Sequence, residues 1–88
     1  MKVLVISPIY LGEKVWQDGY DQEFSPESVE VSKKLETVYE KVAGRYGKRF
    51  MRAADYASPS EADQEHMDGK SHRILADAIY RKLEAEIL

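Results

Sequence analysis

Val3-Leu4-Val5-Ile6, followed by Ser7-Pro8, is the most informative stretch of this 88-residue chain. Four consecutive aliphatic residues with no polar residue between them are typical of a strand covered on both faces, as in a parallel sheet. The strand is predicted to end at Ser7-Pro8, because proline cannot donate to a strand ladder and restrains the residue before it. The sequence therefore predicts an α/β protein with this strand inside its sheet.

Two amphipathic helices are predicted downstream of this strand. The first begins at Ser25-Pro26-Glu27, because serine can cap a helix, proline loses no hydrogen bond at the first position, and glutamate favours the positive end of the dipole. It ends near Gly44–Gly47, and its apolar side chains recur every three or four residues at Val31, Leu35, Val38, Tyr39, Val42 and Tyr46. The second helix begins near Asp68, and its apolar stripe is Ile74, Leu75, Ala78, Ile79, Leu83 and Ile87.

A second strand is predicted over Arg49–Ala54, with loops at 9–24 and 57–68. The order is then β-α-β-α in a single domain, and a strand–helix–strand unit of this length is a right-handed parallel one. Tyr39 and Tyr46 are expected in or near the core, because they follow the apolar stripe of the first helix. The aromatic residues of the first loop either anchor that loop or line an acyl pocket; they are Tyr10, Trp16 and Tyr20.

The composition excludes several classes of function. Cysteine is absent, so a disulfide scaffold, a thiol nucleophile and a cysteine-ligated metal site are ruled out. The 13 basic and 16 acidic residues are interspersed without a basic stripe, so nucleic acid is not an expected partner. No apolar run approaches the roughly 20 residues of a membrane span. We therefore expect no membrane contact and, by default, a cytoplasmic location.

Asp63 and His66 are the strongest candidates for chemistry. On a turn, an aspartate three residues before a histidine can accept from its Nδ1–H, fix the tautomer and leave Nε2 as a general base. The alternative is a solvated surface turn, where such pairs are common. A metal site is not expected, because two histidines six residues apart do not match a helical ligand pair; its ligands would be Asp63, Glu65, His66, Asp68 and His72. No cofactor is expected either.

The segment from Pro59 to Leu83 resembles the C-terminal signature of the SGNH hydrolases, the GDSL-type serine esterases and lipases. That signature is an Asp-x-x-His on the loop after the final strand, then an apolar residue, a second histidine six places on, and a Leu-Ala-x-Ala-Ile helix. The matching residues are Asp63, His66, Met67, His72 and Leu75-Ala76-Asp77-Ala78-Ile79. The resemblance implies a β-α-β-α fragment of a flavodoxin-like parallel three-layer sandwich, with residues 1–88 as the C-terminal half of such a domain.

The resemblance also implies roles for individual residues. His66 would be the general base and Asp63 its orienting carboxylate in a Ser-His-Asp triad that hydrolyses carboxylic esters, while His72 would make a structural hydrogen bond. Gln64 and Glu65 depart from the family pattern, which often has glycine and an aliphatic residue there.

The parts of the family site that handle the ester carbonyl are missing from this sequence. It has no Gly-Asp-Ser nucleophile block, and it contains no asparagine for the oxyanion block. Ser71 in Gly69-Lys70-Ser71-His72-Arg73 lacks the second glycine of a nucleophile elbow and is interpreted as a first-turn helix residue. A His–Asp pair without a nucleophile does not make an esterase, so we expect the isolated chain to be inactive.

Two functions remain open at this stage. In one, the chain is a truncated product or one part of a split ester hydrolase, which takes an acyl ester only together with an N-terminal half. In the other, it is a non-catalytic α/β association module. Under either hypothesis the backbone edge of Val3–Ile6 can recruit another strand, so we expect a homodimer or a domain-swapped oligomer.

Overall fold

The computed structural model describes residues 2–87. Strand β1 (Leu4–Ser7) is followed by helix α1 (Pro26–Arg45), strand β2 (Arg49–Arg52), a short 3₁₀ turn (Ala53–Asp55) and helix α2 (Gly69–Glu86). The two strands pair in parallel. The predicted β-α-β-α order with parallel strands is therefore confirmed. The second strand ends two residues earlier than predicted, because the chain tightens there into the 3₁₀ turn.

The two helices cover opposite faces of this small sheet. Ile6 lies opposite Met51 in the register, and both pack with Leu4 and with Leu75 of α2. Because side chains alternate along a strand, Arg52 points to the other face, where it forms ion pairs with two glutamates of α1, Glu36 and Glu40. The result is a three-layer arrangement of α1, sheet and α2.

Helix α1 turns a different side to the sheet than its apolar pattern predicts. Its buried residues are Val29, Ser32 and Ala43. The α1 apolar stripe lies roughly 120° around the helix from these, at about 100° per residue, and we define it as Val31, Leu35, Val38 and Val42. These four residues are 54%, 37%, 53% and 50% exposed.

The prediction that Tyr39 and Tyr46 lie in or near the core is therefore wrong, since they are 38% and 68% exposed. The physical reason is that polar contacts fix a different side of α1 against the sheet. Ser32 accepts from a backbone amide of the loop after β1, and Glu36 pairs with Arg52 of β2. The large apolar side chains of α1 therefore point away from the sheet.

Neither helix is long and apolar enough to cross a membrane within residues 2–87. Each begins where the sequence indicates. The side chain of Ser28 accepts a hydrogen bond from the Ser25 backbone amide at 3.0 Å at the start of α1. Asp68 accepts from the Ser71 amide at 2.8 Å at the start of α2.

We expect Asp68→Ala to lower the free energy of unfolding by about 1 kcal/mol, because it removes the side-chain acceptor of the α2 N-cap. Urea denaturation followed by circular dichroism measures the change. Asp68→Asn is the matched control, since asparagine caps as well as aspartate. Equal losses in the two variants would contradict a capping role for Asp68.

Candidate active site

The two sequence-predicted residues lie on a loop that closes on itself between β2 and α2. Pro59 and Met67 form an antiparallel bridge across its base. The Ser60 amide donates to the His66 carbonyl at 2.7 Å, and the Gln64 amide donates to the Ser60 carbonyl at 2.8 Å. We call residues 59–67 the site loop. These bonds are internal to the loop and close it on itself.

The site loop brings Asp63 and His66 into direct contact. Asp63 Oδ2 lies 2.8 Å from His66 Nδ1, while Oδ1 accepts from the amides of Glu65 and His66 at 2.9 Å each. The carboxylate is thus held from three directions. The His66 side chain is 81% exposed. With Nδ1 committed to Asp63, Nε2 is the ring nitrogen available to an incoming group.

The electrostatics of this pair follow from those contacts. The two backbone amides, and then the His66 ring, lower the pKa of Asp63 from 3.8 to about 2. The hydrogen bond and charge of Asp63 raise the pKa of His66 above its ordinary value. Asp63 therefore stays ionised across the neutral range, and His66 gains affinity for a proton. This is the arrangement of an imidazole base with an orienting carboxylate.

A pair of carboxyl groups, Glu65 and Asp21, lies next to the Asp63–His66 pair. A hydrogen bond with Asp21, from the loop between β1 and α1, raises the pKa of Glu65. One atom each of Asp63, Glu65 and His66 could face a common cation, since these atoms lie within 4.8 Å of one another. All three groups already have protein partners. Asp68, which the sequence also offered as a ligand, is instead the cap of α2.

Gln64 is the residue that sequence reasoning missed. It is 5% exposed and has a φ of 62°, in the left-handed region that favours glycine. Its carbonyl accepts from the Gly12 amide at 2.8 Å, and its Oε1 accepts from the Lys14 amide at 3.2 Å. Gln64 therefore ties the loop after β1 to the site loop. The departure from the family's glycine was visible in the sequence, but its contact with Gly12 was not.

Gly12 is required for this approach. A Cβ on Gly12 would lie 2.1 Å from Gln64 Oε1 and 2.8 Å from Gln64 Cβ, closer than packed atoms can come. Glycine is thus the residue that lets the two loops meet.

The serines and the second histidine lie apart from the His66 ring. Ser7 is fully buried, and its hydroxyl donates to the Met51 carbonyl. Ser71 lies in the first turn of α2, as interpreted from the sequence, and its hydroxyl accepts from the Ser58 amide. No serine hydroxyl hydrogen-bonds the His66 ring within residues 2–87. His72 is exposed on α2. The family resemblance implies a structural hydrogen bond for it, but within residues 2–87 its ring makes none.

One of the three loop aromatics makes an anchoring contact. The Tyr10 hydroxyl donates to Glu36 of α1 at 3.0 Å, which is the anchoring role. Trp16 is 37% exposed.

We expect Asp63→Asn to lower the pKa of His66 toward its ordinary value, because the carboxylate that holds the ring proton is lost. An NMR titration of the His66 ring protons measures this. Asp77→Asn is the matched control, since Asp77 is an exposed aspartate paired with Arg81 on α2. An unchanged His66 titration in Asp63→Asn would contradict the observed contact.

The same pair predicts a pH window for stability. Folding lowers the pKa of Asp63 from 3.8 to about 2. The stabilisation that ionised Asp63 gives to the folded state is therefore present above about pH 4 and is lost as the pH falls toward 2. Folding raises the pKa of His66 above 6.5, so its contribution is present below that pH and is lost as the pH rises through the raised value. The difference in free energy of unfolding between the natural protein and Asp63→Asn should therefore be largest between these limits. Urea denaturation at a series of pH values measures it. An advantage independent of pH would contradict this.

Position 64 offers a separate test of backbone strain. Gln64→Ala and Gln64→Gly both lose the Lys14 contact, but only alanine keeps a Cβ at positive φ. We expect the glycine variant to be the more stable of the two by about 1 kcal/mol. Thermal unfolding of both variants measures the difference, and equal stabilities would indicate that the loop relaxes out of this conformation.

No protein-family model matches the chain, and no curated protein matches it. Solved structures do match. One crystal structure superposes with a TM-score of 0.90 at 30% identity, over 98% of this chain and 39% of the other.

Two of the matching structures have named activities. A carbohydrate acetylesterase from Sinorhizobium meliloti superposes with a TM-score of 0.79 at 29% identity, over 96% of this chain and 38% of its own. A protein assigned as an arylesterase, from Agrobacterium tumefaciens, superposes with a TM-score of 0.77 at 23% identity, over 96% of this chain and 38% of its own.

This chain therefore spans about two fifths of the length of the structures it matches. Its likeness to them extends over nearly all of its own residues. The chain has the fold of part of an esterase-type α/β domain, which is the SGNH-like fold that the sequence implies.

Proposed function

We propose that Asp63 and His66 form the acid–base part of a carboxylic ester hydrolase site. The observation that carries this proposal is the 2.8 Å contact between Asp63 Oδ2 and His66 Nδ1, with the opposite edge of the ring open to solvent. The likeness of the fold to part of a carbohydrate acetylesterase supports it. An isolated Asp–His turn would be weak evidence, and the shared fold gives it a context in which the pair has a chemical use.

The chemistry assigned to the pair is proton transfer at Nε2. His66 takes the proton of a serine hydroxyl as that oxygen attacks the ester carbonyl, and then gives it to the departing alcohol oxygen. A water molecule, deprotonated by the same nitrogen, then attacks the acyl carbon. The bond to the serine oxygen breaks, the proton returns from Nε2 to that oxygen, and the acid is released. Asp63 stabilises the imidazolium in both steps. Because the pKa of Asp63 is about 2, it remains a carboxylate throughout and does not take the proton itself.

The serine and the oxyanion donors would come from further polypeptide, in the same chain or in a companion. The sequence has no Gly-Asp-Ser block and no asparagine, and about three fifths of each matching structure has no counterpart here. Under this proposal the 88 residues alone do not hydrolyse esters. They complete a site whose nucleophile lies elsewhere.

The first test uses the chain as it is. We expect no stoichiometric adduct by intact mass after treatment with a fluorophosphonate, and no turnover of p-nitrophenyl acetate above that of a His66→Ala variant. A stoichiometric serine adduct accompanied by turnover would overturn the assignment of this chain as a partial site. Ser7 and Ser71 would then be the residues to examine.

The second test supplies the missing part. The chain is mixed with the remaining three fifths of the Sinorhizobium meliloti acetylesterase, which covers the part of that domain without a counterpart here. We expect p-nitrophenyl acetate turnover that is lost in His66→Ala and reduced by orders of magnitude in Asp63→Asn. His72→Ala is the matched control and should retain activity. Activity that survives His66→Ala would contradict the proposed role, as would a co-purified but inactive complex.

A second candidate function, a non-catalytic association module, is favoured by one observation. The four residues of the α1 apolar stripe, which follow one another along one side of the helix, are each about half-exposed. Contiguous apolar surface of this kind marks interaction sites more often than isolated exposed residues do.

A further inference from the structure

The α1 apolar stripe continues into a groove. The groove has a volume of about 490 Å³ and lies between the first half of α1 and the chain that follows β1. Its apolar lining residues are Pro8, Ile9, Leu11, Phe24, Val31 and Leu35. Val31 and Leu35 belong to both features, so stripe and groove form one surface.

The spacing of the stripe is symmetric about its midpoint. A two-fold axis perpendicular to α1, between residues 36 and 37, brings Val31 of one copy opposite Val42 of another. The same axis brings Leu35 opposite Val38. Every large residue of the stripe therefore meets another in an antiparallel pair, which is the self-complementarity that a two-fold interface requires.

The charges at the two ends of the stripe fit the same pairing. Glu27 lies at the beginning of α1 and Arg45 at its end, on the same flank of the stripe when the helix is projected at about 100° per residue. Within residues 2–87 neither forms an ion pair. The two-fold axis places Glu27 of each copy next to Arg45 of the other. A parallel pair would instead leave Glu27 of each copy at the opposite end of the helix from Arg45 of the other.

On the opposite flank, the same axis would bring an aromatic side chain near the groove of the second copy. Tyr46 is 68% exposed, and the axis carries it to the level of Glu27 in the second copy. It projects on the same flank as Ser28 and Leu35, which line the groove. An exposed tyrosine and an apolar groove that meet under one symmetry operation are the anchor and pocket typical of interface hot spots.

We propose that a second copy of this chain docks on the α1 apolar stripe in an antiparallel, two-fold arrangement, with Tyr46 of each copy in the groove of the other. The free edge of β1 takes no part, and no strand is exchanged. The dimer does not depend on the proposed ester hydrolysis, since the surface contains neither Asp63 nor His66.

Sedimentation equilibrium over micromolar to high-micromolar concentrations tests the surface. The natural chain should be a dimer, and Val38→Glu should raise its dissociation constant by about tenfold or more, because a charge is placed at the centre of the interface. Thr37→Glu is the matched control, with the same charge on the adjacent residue outside the stripe. A monomeric natural chain would overturn the proposal, as would a dimer that Val38→Glu leaves intact or a loss of dimer equal in the two variants.

Disulfide trapping tests the antiparallel register. Because the chain has no native cysteine, every disulfide must join introduced residues. A mixture of Glu27→Cys and Arg45→Cys chains should form a cross-linked dimer on mild oxidation. Glu27→Cys alone should not, because the two copies of residue 27 would be about 28 Å apart at 1.5 Å per residue. Efficient cross-linking of Glu27→Cys alone would overturn the antiparallel arrangement. Circular dichroism confirms that each variant is folded.

Discussion

Within residues 2–87 the sheet has two parallel strands, and it can cover only one side of each helix that packs against it. One face holds Leu4, Ile6 and Met51 against Leu75 of α2, and this contact accounts for most of the apolar core. On the other face, α1 approaches the sheet with Val29 and Ala43 and not with its larger side chains. The exposed stripe follows from this orientation of α1, and the groove lies beside it.

The candidate site is largely independent of that limit, because its geometry is local. Three hydrogen bonds to Asp63 and the closure of the site loop all lie within residues 59–67. Long-range contacts come from Gln64, which joins the site loop to Gly12 and Lys14, and from Glu65, which hydrogen-bonds Asp21. A small core can therefore present an ordered Asp–His pair, because backbone amides of the site loop orient the Asp63 carboxylate.

The same division between local and long-range determinants explains what the sequence could reveal. Asp63 and His66 were predictable because three residues on a turn suffice to join them, and the α2 start was predictable because Asp68 caps within one turn. The direction in which α1 faces was not predictable from periodicity, which locates an apolar stripe but not the surface that covers it. Gln64 was missed for a related reason, since the residues that it contacts, Gly12 and Lys14, lie about fifty residues away in the chain.

The loop between β1 and α1 connects the two surfaces to which functions are assigned. The Leu11 amide donates to the Ser32 hydroxyl of α1 at 3.0 Å, and the next residue, Gly12, donates to the Gln64 carbonyl at 2.8 Å. Leu11 also lines the groove. Because Leu11 and Gly12 are adjacent, one short segment is held by α1 on one side and by the site loop on the other, although no residue belongs to both surfaces.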